Sequence, residues 1–318
     1  GHFDGLGLLN NPATTEQLIE IDAAEEEEEK EAQNIELNWH SQRYYQLLDS
    51  IFHVHYATAD IEYWGHAPIA HLEIQATEKS DWDFRLLTLE DKSTFFVNNQ
   101  WVAEYEGMLS LAPHLKYTLM RYAIADNEHS LHLHSGVISN GTECLLLPGQ
   151  KGSGKSVLTA AMMKQGYHYL SDEVALLKGD GCEIQPFPVA MCFKEPAFEL
   201  LSELYPELQS LPIYHRPDGE TVRYLAPPSS STIEDKILPA KYIVFPRYLE
   251  GAKTALHPIE PVDALQRLLN DCQSMPKPLT LVDARNLVSL LEETQCFEMP
   301  HSDLKVAVEC LSKLLVYP

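Results

Sequence analysis

The chain is 318 residues long, about twice the size of a common domain, and its 45% hydrophobic and 22% charged residues exclude wholesale disorder. Its 47 acids against 23 bases give a net charge of -24, a field that repels phosphate backbones and anionic lipid and so speaks against nucleic-acid and membrane partners. No run approaches the roughly 18 apolar residues of a membrane span, no basic-then-apolar leader opens the chain, and none of the six cysteines forms a C-x-x-C pair, so free thiols in a cytoplasmic protein are expected.

Residues 1–34 carry Asp4, Glu16, Glu20, Asp22, Glu25 to Glu29 and Glu31 against Lys30, and such like charge predicts an acidic mobile arm with at most a short helix over Thr15 to Ile21. From Ile35 to about Glu106 short runs alternate apolar and polar residues, as in Phe52-His53-Val54-His55-Tyr56, and read as a domain made mostly of strands. His53 and His55 are expected to line an exposed face of that sheet. Asn98-Asn99 between two such runs predicts a hairpin, because asparagine tolerates positive φ. Leu115, Leu119, Tyr122 and Ala123 share one face of a helix predicted over Leu111 to Ile124, which would link residues 35–124 to a second domain at 125–318.

That second domain reads as α/β: strands at Leu131 to Val137, Cys144 to Leu147, Tyr167 to Leu170, Val174 to Leu177 and Tyr242 to Phe245, with helices at Ser156 to Gln165, Ala264 to Asp271, Ala284 to Glu292 and Asp303 to Leu315. Pro212, Pro217, Pro227 and Pro228 with three serines at 229–231 predict a long irregular loop over Leu211 to Ser231.

Gly149, Gln150, Lys151, Gly152, Ser153, Gly154, Lys155 and Ser156 fit G-x-x-x-x-G-K-S, with Val157 continuing into the helix. In strand-loop-helix context this is a phosphate-binding loop: the glycines let backbone N–H groups point at phosphate, Lys155 reaches the β and γ phosphates, and Ser156 ligates Mg²⁺. Asp172 and Glu173 follow the next strand, where open α/β sheets place ligands, so either could hold Mg²⁺ and one could accept a hydroxyl proton. Arg216, Arg223, Arg247 and Lys194 are further cations that could face a transferred phosphoryl group, against their plainer reading as surface charges. His132 and His134 alternate with leucines and share one side of a strand; without a third ligand nearby they do not read as a metal site.

The order His134-Ser135-Gly136-Val137, the phosphate loop, Gly166 and Leu170-Ser171-Asp172-Glu173 resembles the HPr kinase/phosphorylase family and the wider group of bacterial kinases built on its catalytic domain. The resemblance covers about residues 132–177 well and the rest of the C-terminal part in outline. It implies a P-loop HPr kinase-like domain behind a smaller strand-rich one, with ATP and Mg²⁺ as cofactors, Lys155 and Ser156 binding them, Asp172 as the base and His134 beside the transferred phosphate. Glu173 stands where a second aspartate is usual and no R-G-x-G follows, which points away from HPr as acceptor and from phosphorylase reversal, toward relatives that phosphorylate serine on ribosomally made peptides. The expected function is ATP-dependent phosphorylation of a hydroxyl on a peptide or small protein, in an enzyme whose relatives often form homo-oligomers. The alternatives are a nucleotide-binding regulatory module without transfer and a kinase of a small-molecule hydroxyl.

Overall fold

Alternating aromatic and β-branched residues turn the first part of the chain into β1 (Ser41–Leu47), β2 (Ser50–Tyr56), β3 (Glu73–Ile74), β4 (Trp82–Leu89), β5 (Lys92–Val97) and β6 (Gln100–Glu106). The computed structural model describes residues 38–89, 92–127, 131–179, 181–216, 218–232, 236–271 and 280–317; the acidic arm and its expected helix lie outside them. Two units emerge, one of residues 38–127 with Leu211–Ala226, the other of residues 131–210 and 227–317.

In the first unit the six strands form one sheet in the order β3-β1-β2-β4-β5-β6, with β2 and β4 parallel and the other neighbours antiparallel. The parallel step needs a crossover, and α1 (Ala59–His66) supplies it, its first turn capped where Thr58 Oγ1 accepts from the Ile61 N–H. That helix interrupts what the sequence reads as a run of strands. The predicted hairpin joins β5 and β6, with Asn98 at φ 49° and Asn99 at φ 69°. The predicted linking helix is α2 (Leu111–Ala125), and its role is corrected: Leu111, Leu115, Leu119, Tyr122 and Ala123 are all buried, with Tyr122 edge-on to Trp82 at 4.3 Å, so it is a core helix of this unit.

The second unit contributes β7 (Leu131–Leu133), β8 (Ser135–Ser139), β9 (Cys144–Pro148), α3 (Lys155–Lys164), β10 (His168–Ser171), β11 (Ala175–Lys178), β12 (Glu183–Gln185), β13 (Met191–Lys194) and α4 (Glu195–Leu200). The chain then enters the first unit, where β14 (Tyr214–His215) and β15 (Thr221–Leu225) form a hairpin; the expected irregular loop is therefore partly ordered, and the α/β unit is discontinuous rather than a single run of 125–318. It resumes with β16 (Leu238–Tyr248), β17 (His257–Pro258), α5 (Pro261–Asp271), α6 (Leu281–Glu293), β18 (Gln295–His301) and α7 (Leu304–Leu314). Asp303 caps α7 by accepting from Val306 N at 3.0 Å, and Thr280 with Asp283 forms a capping box on α6.

The long β16 organises the sheet. Its amino end pairs with β12, which leads to β11 and β7, while its carboxyl half lies between β9 and β18. Alternate residues face opposite layers: Leu145, Leu147 and Val244 pack with Leu158 and Met162 of α3 and Leu311 of α7, whereas Leu146, Ile243 and Phe245 pack with Leu268 of α5 and Leu287 and Leu290 of α6. The result is a three-layer α/β/α unit, in which each fully buried leucine contributes roughly 1.5–3 kcal/mol by removing apolar surface from water. Among the described residues no helix is long and apolar enough to cross a membrane, and the five described cysteines are free.

Candidate functional site

Strands β9, β16 and β18 are mutually parallel, and β10 runs the same way because both β9 and β10 are antiparallel to β8. Their carboxyl ends therefore share one edge of the sheet, the place where open α/β sheets bind ligands. Four chain segments meet there: the loop 149–154 after β9, Asp172-Glu173 after β10, Arg247-Tyr248 at the end of β16 and His301 at the end of β18. Strand β8 starts at the same edge, with Ser135 opposite Pro148, so His134 arrives beside them.

The loop turns through Gly152 at φ 84° and Gly154 at φ 95°, conformations in which a side chain would be strained. Gly154 also lies close to His301, since a Cβ there would stand 3.0 Å from its ring. Lys155, 6% exposed, folds back and donates from Nζ to the carbonyl oxygens of Gly149 at 2.7 Å and Gln150 at 2.9 Å. Gln150, Lys151 and Gly152 are exposed, Ser156 and Val157 are half-buried in the first turn of α3, and the buried Ser153 Oγ has no hydrogen-bond partner among the described residues. The start of α3, whose N–H groups have no side-chain cap, and the Lys155 ammonium are groups of the kind that can hold an anion.

Asp172 and Glu173 sit on a turn closed by Ser171 Oγ, which accepts from Val174 N at 3.2 Å. The strand predicted over Leu131 to Val137 breaks at the same level, into β7 and β8, and His134 bridges the two breaks by donating from Nδ1 to the Glu173 carbonyl at 2.9 Å. Glu173 thus enters this contact through its backbone. Asp172 is 3% exposed and lies over Gly136 of β8: a Cβ on Gly136 would collide with Thr159 Oγ1 and stand 3.7 Å from Asp172 Oδ1. The missing side chain lets α3, which begins with Lys155 and Ser156, and the Asp172 carboxylate close on the same strip of β8. Burial, with Asp172 and Glu173 adding negative charge, drives the neighbouring Tyr169 hydroxyl far above its ordinary value, and that hydroxyl donates to the Val189 carbonyl at 2.7 Å.

His301 is a member of the site that the sequence reading lacks. It is buried, its Nε2–H donates to the Ser153 carbonyl at 3.2 Å, and Tyr248 meets it edge-on at 5.8 Å. Burial holds its imidazole below the ordinary histidine value, only partly offset by the Ser153 carbonyl, so it is neutral at pH 7. Its sequence signal is faint: an apolar residue at Cys296 and Met299 within Gln295–His301, immediately after a helix.

The other expected cations divide. Arg247 stays at the sheet edge, opposite Pro300 in the β16–β18 register, whereas Arg216 and Arg223 belong to the first unit, where Arg216 pairs with Asp218 at 3.3 Å. Lys194 occupies the N-cap position of α4. His132 faces away from the leucines of β7 as expected, and burial pushes it down to about 4, with Asp283 acting weakly in the other direction.

The chain matches no protein-family model, and comparison with curated proteins gives no match either.

Proposed function

We propose that the α/β unit is an ATP-dependent kinase of the HPr kinase-like type, which transfers the γ-phosphoryl group to a serine or threonine hydroxyl of a peptide or small protein. The observation that carries this reading is that two chemistries follow the carboxyl ends of β9 and β10, which flank β8 at one edge of the sheet: the glycine loop ending in Lys155 and the buried carboxylate of Asp172. A site that only sensed phosphate would need the first and not the second.

The residues present fit a bound nucleotide and Mg²⁺. The glycine loop has the positive φ values that a tight phosphate-binding turn requires, and the buried Ser153 Oγ has no hydrogen-bond partner among the described residues. Gly149 to Val157 would hold the phosphates, and Ser156 with Asp172 or Glu173 would hold the metal. When bound, ATP supplies the transferable phosphoryl group and Mg²⁺ neutralises its charge. Lys155, already fixed at the loop, orients phosphate oxygens. Asp172 accepts the proton of the acceptor hydroxyl, and the His134 bond to the Glu173 carbonyl holds the turn on which Asp172 sits. His301 fixes the far side of the loop through Ser153. The strand-rich unit is the part available for acceptor recognition, and its acidic character suits a basic segment.

The reading is tested by melting the full chain with and without ATP and Mg²⁺. Ligand at 100 times its Kd stabilises by about 2.7 kcal/mol. Lys155→Ala is expected to lose most of the resulting rise in melting temperature. A rise of equal size in that variant would contradict the loop's role.

A further inference from the structure

The parallel register of β2 and β4 sets His53 opposite Asp83 and His55 opposite Arg85, so all four side chains stand on one face while Phe52, Val54, Phe84 and Leu86 fill the core on the other. The sequence reading left His53 and His55 on an exposed face; both are instead largely covered, with side chains 15% and 9% exposed beside Asp83 at 28%. Three potential ligand atoms, one from each of His53, His55 and Asp83, lie within 4.8 Å of one another. Asp83 Oδ2 is 2.6 Å from His55 Nε2 and 3.7 Å from His53 Nδ1.

We propose that this unit binds a first-row divalent cation, Zn²⁺ or one of similar ligand preference, through His53 Nδ1, His55 Nε2 and Asp83 Oδ2, leaving a fourth position open to solvent. A tetrahedral zinc with bonds of about 2.0–2.1 Å spaces its ligands about 3.3 Å apart, so the two distances to Asp83 Oδ2 need shifts of about 0.4 and 0.7 Å. Two histidines and one carboxylate are the donor set of open zinc sites and of other transition-metal centres.

The surrounding groups aim the ligands. His53 Nε2–H donates to Gln42 Oε1 at 3.1 Å, which puts the lone pair of that ring on Nδ1, facing Asp83. Tyr44 stacks flat on the same ring, centroids 4.2 Å apart and planes 7° from parallel. Arg85 Nε donates to Asp83 Oδ1 at 2.8 Å, occupying one carboxylate oxygen and leaving Oδ2 for the metal. A lone Asp83–His55 hydrogen bond explains only half of this arrangement: it gives no reason for His53 to be tied by Gln42 and Tyr44 with its free nitrogen toward the same oxygen.

The experiment uses the full chain, stripped with a chelator and returned to buffer with millimolar Mg²⁺ and no nucleotide, so that a hard-cation site near Ser156 does not compete. Zn²⁺ is titrated calorimetrically, and Co²⁺ is added separately for its visible spectrum. One equivalent of Zn²⁺ and an intense four-coordinate Co²⁺ band are expected. Both should be lost in His53→Gln and in His55→Gln, and Gln42→Ala should weaken Zn²⁺ binding 10–100-fold. Circular dichroism checks the fold of each variant; should His55→Gln misfold, His53→Gln, with the more exposed ring, decides. No Zn²⁺ binding by the stripped wild type would overturn the proposal, as would one equivalent retained by a folded His53→Gln.

Discussion

Gly136→Ala is the substitution whose consequence the geometry specifies most tightly. A methyl group on β8 would occupy the position of Thr159 Oγ1, while the Thr159 Cβ and Asp172 Oδ1 lie at the ordinary contact distances of 3.6 and 3.7 Å. The hydroxyl is buried without a partner among the described residues, so no hydrogen bond holds it, but to make room it must turn within a packed interface or α3 must move off the sheet. Overpacking of this kind costs about 1–3 kcal/mol. For a unit of this size each 1 kcal/mol lowers the melting temperature by about 2–4 °C, so a fall of roughly 4–8 °C is expected for a 2 kcal/mol loss. Thr159→Ala removes the obstructing oxygen, and the double variant should recover most of the loss, giving a favourable coupling of about 1–2 kcal/mol in a double-mutant cycle measured by urea unfolding. Because Asp172 sits against the same strip, Gly136→Ala should also weaken nucleotide-induced stabilisation, and the double variant should restore it. A Gly136→Ala protein as stable as wild type, or a double variant showing no recovery, would refute the close approach of α3 to β8.

Two further predictions concern stability. Asn99→Val places a β-branched residue at φ 69° and should cost about 1–2 kcal/mol, while Asn99→Gly should cost nothing or stabilise slightly; chemical denaturation of the pair checks the turn. His132, held down to about 4, is neutral in both folded and unfolded chains above pH 6.5, so its contribution is complete there and is lost as the pH falls toward 4, where the unfolded chain takes up a proton that the folded one refuses. The limit is about 3 kcal/mol, and because part of the ring remains exposed, about half is expected. His132→Gln should flatten the stability-versus-pH slope between 6.5 and 4 by that amount; equal slopes would show that the ring is not held neutral by burial.

Local chemistry was readable and non-local pairing was not. Asn98-Asn99, the strand-loop-helix around Gly149 to Ser156, and the helix expected over Asp303 to Leu315 each depend on residues within a few positions, and each forms where the sequence predicts. The histidine-leucine alternation of Leu131–Leu133 also holds, but the break at His134 depends on Glu173, 39 residues away. Strand β18 reads poorly because its burial comes from β16 on one side and β17 on the other, not from its own pattern. His301 was invisible for the same reason. The meeting of His53 with Asp83 follows from a parallel register across the α1 crossover, which no local periodicity encodes. Leu211–Ala226 shows the same limit at a larger scale: proline and serine content marks an irregular stretch but carries no information about which unit it joins.

The central claim is that Asp172 is a base poised for an external hydroxyl beside a nucleotide cradle. Its most direct test is transfer from γ-labelled ATP with Mg²⁺ to a serine- and threonine-containing peptide library, comparing wild type with Asp172→Asn, which keeps shape and removes basicity. Labelled peptide from wild type, with the rate lower by about 10²–10⁴ in Asp172→Asn and nucleotide-induced stabilisation little changed, is the predicted result. Transfer at the wild-type rate by Asp172→Asn would contradict the account, and ATP binding without transfer by the wild type to any peptide or small alcohol would leave a regulatory nucleotide module in place of a kinase.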